Sequence, residues 1–230
     1  MKVHNRPGAG PTVLALHGMS STAAVWGDLE RRLAGRHLVA PHLPGRGPSR
    51  DVAALDGLDG LADVVLELAD RSLWAAAGET VVVGHSMGAF LAPIAVRRMV
   101  DAGFRVRGVV LLDGGPRPAP SALTHPLVVR ALFTGIALTQ FWKLSFRAGD
   151  DAVDCLSRPT RLGLLNDLDM PVHLITAASG ARPSSPEFLS DQAVSEGLAE
   201  LGRMTTERVD TTHEGLLTHP AVAAAVRRIG

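Results

Sequence analysis

The sequence is poor in cysteine, in aromatic residues and in net charge, and each shortage narrows the kind of protein it can encode. Its 230 residues contain one cysteine, Cys155, which excludes an internal disulfide framework and is typical of a reducing cytosol. Lysine plus arginine and aspartate plus glutamate both count 23, so the formal net charge is zero. This balance indicates neither a nucleic-acid-binding surface nor an anionic-membrane surface.

Long apolar runs are missing as well. No window reaches the length of a membrane-spanning helix, and the first eight residues contain no apolar run of signal-peptide length. We therefore expect a cytoplasmic protein without a membrane or nucleic-acid partner. Hydrophobic residues make up 46% of the chain and charged residues 20%, which is enough for a sizeable core, and the length favours a single domain over residues 1–230.

Short apolar runs alternate along the chain with stretches of helical periodicity. The predicted strands are 12–16, 37–41, 80–83, 106–112, 172–176 and 205–209. The predicted helices are 23–34, 58–77, 89–100, 127–138 and 221–229. Continuous apolar strands that alternate with helices are typical of parallel sheets covered on both faces. The sequence thus predicts an α/β fold with a mostly parallel, doubly wound sheet.

Residues 116–170 interrupt this alternation directly after the strand that ends at Asp113. Aromatic residues are only 4% of the chain, yet this segment holds three of the six phenylalanines and one of the three tryptophans: Phe133, Phe141, Trp142 and Phe146. We predict a small helical lid here, with Phe133, Phe141 and Trp142 lining an apolar substrate pocket. The alternative is that these side chains anchor the lid to the body of the protein.

The most informative stretch is Gly84-His85-Ser86-Met87-Gly88, which follows four β-branched residues and precedes a predicted helix. This is the G-x-S-x-G pattern of a sharp strand-to-helix turn, in which the two glycines leave room for the strained central serine. The turn would expose the Ser86 hydroxyl and place the free N–H of Met87 beside it, at the start of the helix. We predict Ser86 to be a catalytic nucleophile.

With two further motifs, this turn makes the chain resemble the α/β-hydrolase family from about Thr12 to Ile229. These motifs are His17-Gly18-Met19, after the first predicted strand, and a late histidine before the last helix. The resemblance implies that the His17-Gly18 loop borders the substrate and that the N–H of Met19 joins that of Met87 in an oxyanion hole. It also implies that the first antiparallel hairpin of the family is reduced or missing, because little chain precedes Thr12.

A turn motif of the family has its counterpart in residues 42–49, His-Leu-Pro-Gly-Arg-Gly-Pro-Ser, with His42 in place of the usual aspartate. We expect this motif to shape the turn rather than to do chemistry.

A serine hydroxyl needs a base to take its proton, and histidine suits this role at neutral pH. Among nine histidines, His213 follows the 205–209 strand, at the sheet edge where open α/β sheets place their sites. It also matches the catalytic histidine of the family. His219 is the alternative, although its place before Pro220 is more typical of a helix start. No second histidine or carboxylate cluster stands at ligand spacing with these two, so no metal site is predicted.

The acid of the expected triad has three candidates. Many family members place it after the strand that corresponds to 172–176, but no carboxylate lies between Met170 and Pro186. Others place it one strand earlier, where Asp113 stands, which gives the order Ser86, Asp113, His213. Asp113 could instead cap the turn before Gly114-Gly115. The remaining candidates are Glu187 and Asp191.

The resemblance implies a serine hydrolase that cleaves an ester, thioester or lactone of a small molecule through an acyl-enzyme, without a cofactor. Carbon–carbon hydrolases and acyltransferases have the same fold and similar triads, so these activities stay open. A non-catalytic ligand-binding member is a further alternative, against which the intact Ser86 and His213 argue.

Overall fold

The computed structural model describes residues 1–53, 57–71, 78–118 and 124–230. Seven strands lie within these residues: β1 (Val3–Arg6), β2 (Ala9–Leu16), β3 (Arg36–Pro41), β4 (Thr80–His85), β5 (Val106–Leu112), β6 (Val172–Ser179) and β7 (Thr205–Thr212). Seven α-helices lie there too: α1 (Gly27–Arg32), α2 (Gly57–Arg71), α3 (Met87–Asp101), α4 (Pro126–Thr139), α5 (Ala148–Ser157), α6 (Asp191–Glu200) and α7 (Pro220–Ile229). None of the described helices is long and apolar enough to cross a membrane.

The seven strands form one sheet in the order β1-β3-β2-β4-β5-β6-β7. All neighbouring pairs are parallel except β1 and β3, which are antiparallel. The predicted α/β fold with a mostly parallel, doubly wound sheet is confirmed. In place of a first antiparallel hairpin the chain has the short strand β1, which pairs with β3 rather than with β2.

Both faces of the sheet are covered, because successive side chains of each buried strand enter opposite cores. Leu14 and Val82 belong to the core beneath α2, α3 and α5, whereas Val13 and Val81 belong to the core beneath α1 and α7. These strands are therefore buried on both sides, which explains their continuous apolar sequences. The arrangement fixes the carboxyl ends of β2, β4, β5 and β7 along one edge of the sheet.

Two helical predictions differ from the structure in detail, and a further helix was not predicted. The segment predicted as helix 23–34 begins with the 3₁₀ turn Ala23–Trp26 and continues as the short α1. The helix predicted over 58–77 is α2, which ends at Arg71, while residues 72–77 lie outside the described residues. Helix α6 was not predicted at all; it begins where the Ser190 hydroxyl accepts a hydrogen bond from the N–H of Ala193.

The described part of the 116–170 segment contains α4, α5 and the 3₁₀ turn Leu162–Leu165. We call this part, residues 124–170, the lid segment. Its α4 matches the predicted helix 127–138 to within one residue at each end. Its role as a lid stays a prediction.

Candidate active site

Ser86 occupies the turn between β4 and α3 in a strained conformation. Its φ of 54° and ψ of −119° are rare for a residue with a side chain, and such strain is often retained at functional sites. A Cβ atom on Gly84 would overlap the Gly88 carbonyl oxygen, and one on Gly88 would overlap the Leu16 carbonyl oxygen. Both positions must therefore be glycine, and the turn leaves Ser86 half-buried with its side chain at the sheet edge.

The structure brings Asp113 and His213 together at that edge. Asp113 lies directly after β5, is fully buried and places Oδ2 2.7 Å from Nδ1 of His213. Its Oδ1 accepts a hydrogen bond from the backbone N–H of Ala177 at 3.4 Å. Because a carboxylate oxygen only accepts, Nδ1 of His213 carries the proton and Nε2 is left as the acceptor.

The other two acid candidates lie elsewhere. Asp191 forms an ion pair with Arg208 at 3.0 Å, and its side chain is 96% exposed. Among the described residues, Glu187 makes no hydrogen bond or ion pair with His213. His219 is also placed away from the acid, since its Nδ1 accepts from the N–H of Ala221 and caps α7.

The His213 ring contacts two other rings. The ring centroid of His85 lies 4.6 Å from that of His213, and the ring centroid of Phe188 lies 4.9 Å from it. His85 Nε2 donates to the His213 carbonyl oxygen at 3.0 Å, which ties the histidine loop to the serine turn. Burial lowers the pKa of His85 to about 3, so this ring is neutral.

His17 orders the loop beside Ser86. Its Nε2 accepts from the N–H of Leu43 at 3.0 Å, and its Nδ1 donates to the Gly18 carbonyl at 2.8 Å. Burial lowers the pKa of His17 to about 3, so the ring stays neutral in this arrangement. The Gly18 carbonyl and the Met19 N–H belong to one trans peptide and point in opposite directions, so His17 also sets the direction of that N–H.

The same loop lies against the serine turn. A Cβ atom built on Gly18 would come within 3.3 Å of Ser86 Cβ, which shows how closely the two segments approach. Met87 is the first residue of α3, and the N–H groups of a first helical turn have no partner within the helix. Met87 thus adjoins Ser86 in the chain, and Met19 follows the glycine that approaches Ser86. The oxyanion hole that these two residues would form stays a prediction.

The predicted substrate-binding aromatics are spread over the lid segment. Phe133 is partly buried against the core. Phe141 and Trp142 are 59% and 58% exposed and touch each other edge to face, with ring centroids 5.4 Å apart. The described contacts do not bring these two to Ser86, so their part in substrate binding stays a prediction.

His85, His213 and Glu214 form the group among the described residues that could hold a metal ion, with ligand atoms within 4.8 Å of one another. Sequence spacing did not indicate this group because His85 and His213 are 128 positions apart. One nitrogen of each histidine is already engaged, Nδ1 of His213 by Asp113 and Nε2 of His85 by a carbonyl.

Two features at the carboxyl ends of this mostly parallel sheet are typical of α/β hydrolases. One is the strained serine turn beside the ordered His-Gly loop, and the other is the aspartate–histidine pair. The chain belongs to the alpha/beta hydrolase family, whose sequence model matches residues 13–226.

Two curated relatives have hydrolytic activities. A pimeloyl-[acyl-carrier protein] methyl ester esterase of Nitrosomonas europaea is 36% identical over 110 residues, which cover 47% of this chain and 39% of that protein. A 2-(acetamidomethylene)succinate hydrolase of Mesorhizobium japonicum is 33% identical over 121 residues, covering 50% and 40%. The matches thus span about two-fifths of the length of these relatives.

Among solved structures, a hydrolase from Oleispira antarctica superimposes with a TM-score of 0.77 at 15% identity, covering 98% of this chain and 93% of that one. At this level of identity the likeness concerns the fold alone.

Proposed function

We propose that the protein is a serine hydrolase that cleaves a carboxylic ester, thioester or lactone of a small molecule through an acyl-enzyme. The observation that carries this proposal is the 2.7 Å hydrogen bond between Asp113 Oδ2 and His213 Nδ1, at the sheet edge where Ser86 is held in a strained turn. A serine, a histidine base and a buried carboxylate form the group that activates a hydroxyl for acyl transfer.

In the proposed reaction, Ser86 Oγ attacks the substrate carbonyl and His213 Nε2 takes the serine proton. Asp113 keeps the other His213 proton on Nδ1 and stabilises the imidazolium that forms. In the described part of the chain, no hydrogen bond joins Ser86 Oγ to His213. Catalytic hydrogen bonds of this kind often tighten only as substrate binds, so we expect the contact to form in the complex.

The negative charge on the substrate oxygen is stabilised by the N–H groups of Met19 and Met87. One donor belongs to the loop that His17 orders, and the other starts α3, whose aligned peptide dipoles favour negative charge at this end. The protonated His213 then gives its proton to the leaving group. Water then attacks the acyl carbonyl while His213 takes its proton. The bond between the acyl carbon and Ser86 Oγ breaks, His213 returns the proton to Ser86 Oγ, and the acid leaves.

The bond cleaved is a carboxylic ester or a close analogue, in keeping with the methyl ester activity of one relative. We assign the apolar part of the substrate to the lid segment, with Phe133, Phe141 and Trp142 as contacts. A screen of p-nitrophenyl esters of increasing acyl length would define the preferred acyl group. Product analysis with and without an added alcohol would separate hydrolysis from acyl transfer.

Covalent labelling tests the nucleophile. A fluorophosphonate probe is expected to label the wild-type protein on the peptide that contains Ser86, and Ser86→Ala is expected to remove the label. Ser195→Ala is the matched control, because Ser195 is an exposed residue of α6 outside the site, and it should be labelled like the wild type. An unlabelled wild-type protein would indicate a ligand-binding member without catalysis, and labelling of Ser86→Ala would place the nucleophile elsewhere.

A further inference from the structure

Arg46 is a fully buried cation beneath the candidate oxyanion hole, with 1% of its surface exposed. It lies in the turn between β3 and α2, in the motif that we expected only to shape the chain. A buried guanidinium is stable only when its donors are paired. Here its Nη1 forms an ion pair with Asp151 Oδ2 at 2.6 Å and donates to the Pro44 carbonyl at 2.8 Å.

The remaining donors of Arg46 reach the two proposed oxyanion residues. Nε donates to the Met19 carbonyl oxygen at 3.1 Å, and Nη2 lies 2.9 Å from Met19 Sδ and 3.2 Å from Met87 Sδ. Met19 and Met87 come from segments that are far apart in the sequence, after β2 and at the start of α3. One rigid, planar guanidinium thus contacts the backbone of Met19 and the side-chain sulfurs of both methionines.

The lid segment holds Arg46 from the other side. Asp151 belongs to α5 and is buried. Burial raises the pKa of its carboxyl, and the neighbouring Arg46 offsets only part of this rise. The backbones on either side are joined as well, since the N–H of Gly47 donates to the Lys143 carbonyl at 2.7 Å and the N–H of Ser145 donates to the Gly45 carbonyl at 2.9 Å. The position of the guanidinium therefore depends on how the lid segment is seated.

We propose that Arg46, held by Asp151 of the lid segment, is a positioning residue that keeps the N–H groups of Met19 and Met87 at the separation needed to bind the oxyanion. This inference rests on the proposed function and adds a residue that acts on the transition state without touching the substrate. A shift of about 1 Å in a catalytic group can slow a reaction by about 10²-fold. Loosening the contacts of Arg46 should therefore have a measurable effect on kcat.

The test removes both charges together, because a single substitution would leave a buried charge unpaired. Arg46→Met/Asp151→Leu is expected to melt cooperatively near the wild-type temperature. Its kcat for a p-nitrophenyl ester should fall by about 10- to 100-fold, with KM within about twofold of the wild type. Affinity for an alkyl trifluoromethyl ketone, which forms a tetrahedral adduct with a serine, should fall in parallel with kcat/KM.

Arg161→Met provides the matched control. Arg161 also joins the lid segment to the body, through an ion pair with Asp59 of α2 at 3.1 Å, and it pairs with Asp154 within the lid segment at 3.5 Å. It has no described contact with either methionine. Its kcat and its ketone affinity should stay within about twofold of the wild type. An equal loss of kcat in this control would show that any loosening of the lid segment slows the reaction, and would overturn the specific role of Arg46.

Arg46→Lys keeps the inference testable if the double variant does not fold. Lysine preserves a cation beside Asp151 but lacks the planar fork that reaches Met19 and Met87 at once, so we expect a loss of kcat without a change in KM. Wild-type kcat in a folded Arg46→Lys or double variant would refute the positioning role and leave the proposed function intact. A wild-type protein that is not labelled at Ser86 would instead refute the proposed function itself.

Discussion

The carboxylate of Asp113 has two described partners, one on His213 and one on the backbone of Ala177, and neither belongs to its own Gly114-Gly115 turn. These two partners match what a triad acid requires, so we keep Asp113 as the predicted acid rather than as a turn cap. Asp113→Asn should lower kcat by about 10⁴-fold with little loss of structure, because the amide favours the wrong His213 tautomer.

The matched controls for this substitution are Glu187→Gln and Asp191→Asn. Both should stay within about tenfold of the wild-type kcat, since neither carboxylate has a described hydrogen bond to His213. Near wild-type turnover of Asp113→Asn, together with collapse in either control, would move the acid to that residue. The assignment of Ser86 and His213 would survive such a result.

His17 and His85 make the stability of the protein depend on pH. Burial lowers the pKa of each from 6.5 to about 3, so between these values the unfolded chain binds protons that the folded chain does not. Stability is therefore fully present above about pH 6.5. It is expected to fall as the pH drops toward 3, by up to about 1.4 kcal/mol per pH unit for each histidine.

Urea unfolding at a series of pH values measures how the free energy of unfolding depends on pH. His17→Gln should reduce this slope by the contribution of about one proton. The glutamine oxygen can still accept from the Leu43 N–H, so the variant retains part of the local structure. An unchanged slope in His17→Gln would show that His17 does not resist protonation in the folded protein.

At the scale of single elements, the role of the lid segment in substrate binding can be tested directly. Trp142 is more than half exposed, so its removal should cost little stability, and Trp142→Ala is expected to shift the preferred acyl length while the melting temperature stays the same. Leu127→Ala, at a residue of α4 that is 73% exposed, is the control and should leave the preference unchanged. A lower melting temperature with an unchanged preference would show that Trp142 anchors the lid segment.

The central strands could be predicted from sequence because each is buried on both faces and carries an unbroken apolar run. The short, mostly exposed strand β1 was not predicted. Helix α6 was missed, although Ala193, Val194, Gly197 and Leu198 recur at helical spacing. Its apolar face is weak, because Ala193 and Gly197 are small and Val194 and Leu198 are only partly buried. A second usable signal was Ser190 as the capping residue.

Asp113 and Arg46 differ in how well the sequence alone could predict their roles. Asp113 could be ranked first from the chain order of the triad, but its contact with His213 depends on how β5, β6 and β7 align. Arg46 was missed because its turn gives no sign that Asp151, a distant residue of α5, will supply a buried carboxylate. When the partner of a buried charge comes from a distant segment, it can be identified only from the tertiary structure.

At the scale of the whole molecule, the sheet brings the three proposed catalytic residues together through backbone hydrogen bonds. The N–H of Ser86 donates to the Leu112 carbonyl, that of Asp113 to the Ile175 carbonyl and that of His213 to the Gly180 carbonyl, all at 2.9 Å. Each residue is thus bonded to an adjacent strand or to its extension. The two packed faces of the sheet keep these strand ends in place before any substrate arrives.

The central claim is that Ser86 is the nucleophile of this arrangement, and turnover by Ser86→Ala tests it most directly. With a p-nitrophenyl ester that the wild type hydrolyses, the account predicts that kcat falls by about 10³-fold or more while the melting temperature is retained. A folded Ser86→Ala protein that keeps near wild-type kcat would contradict it.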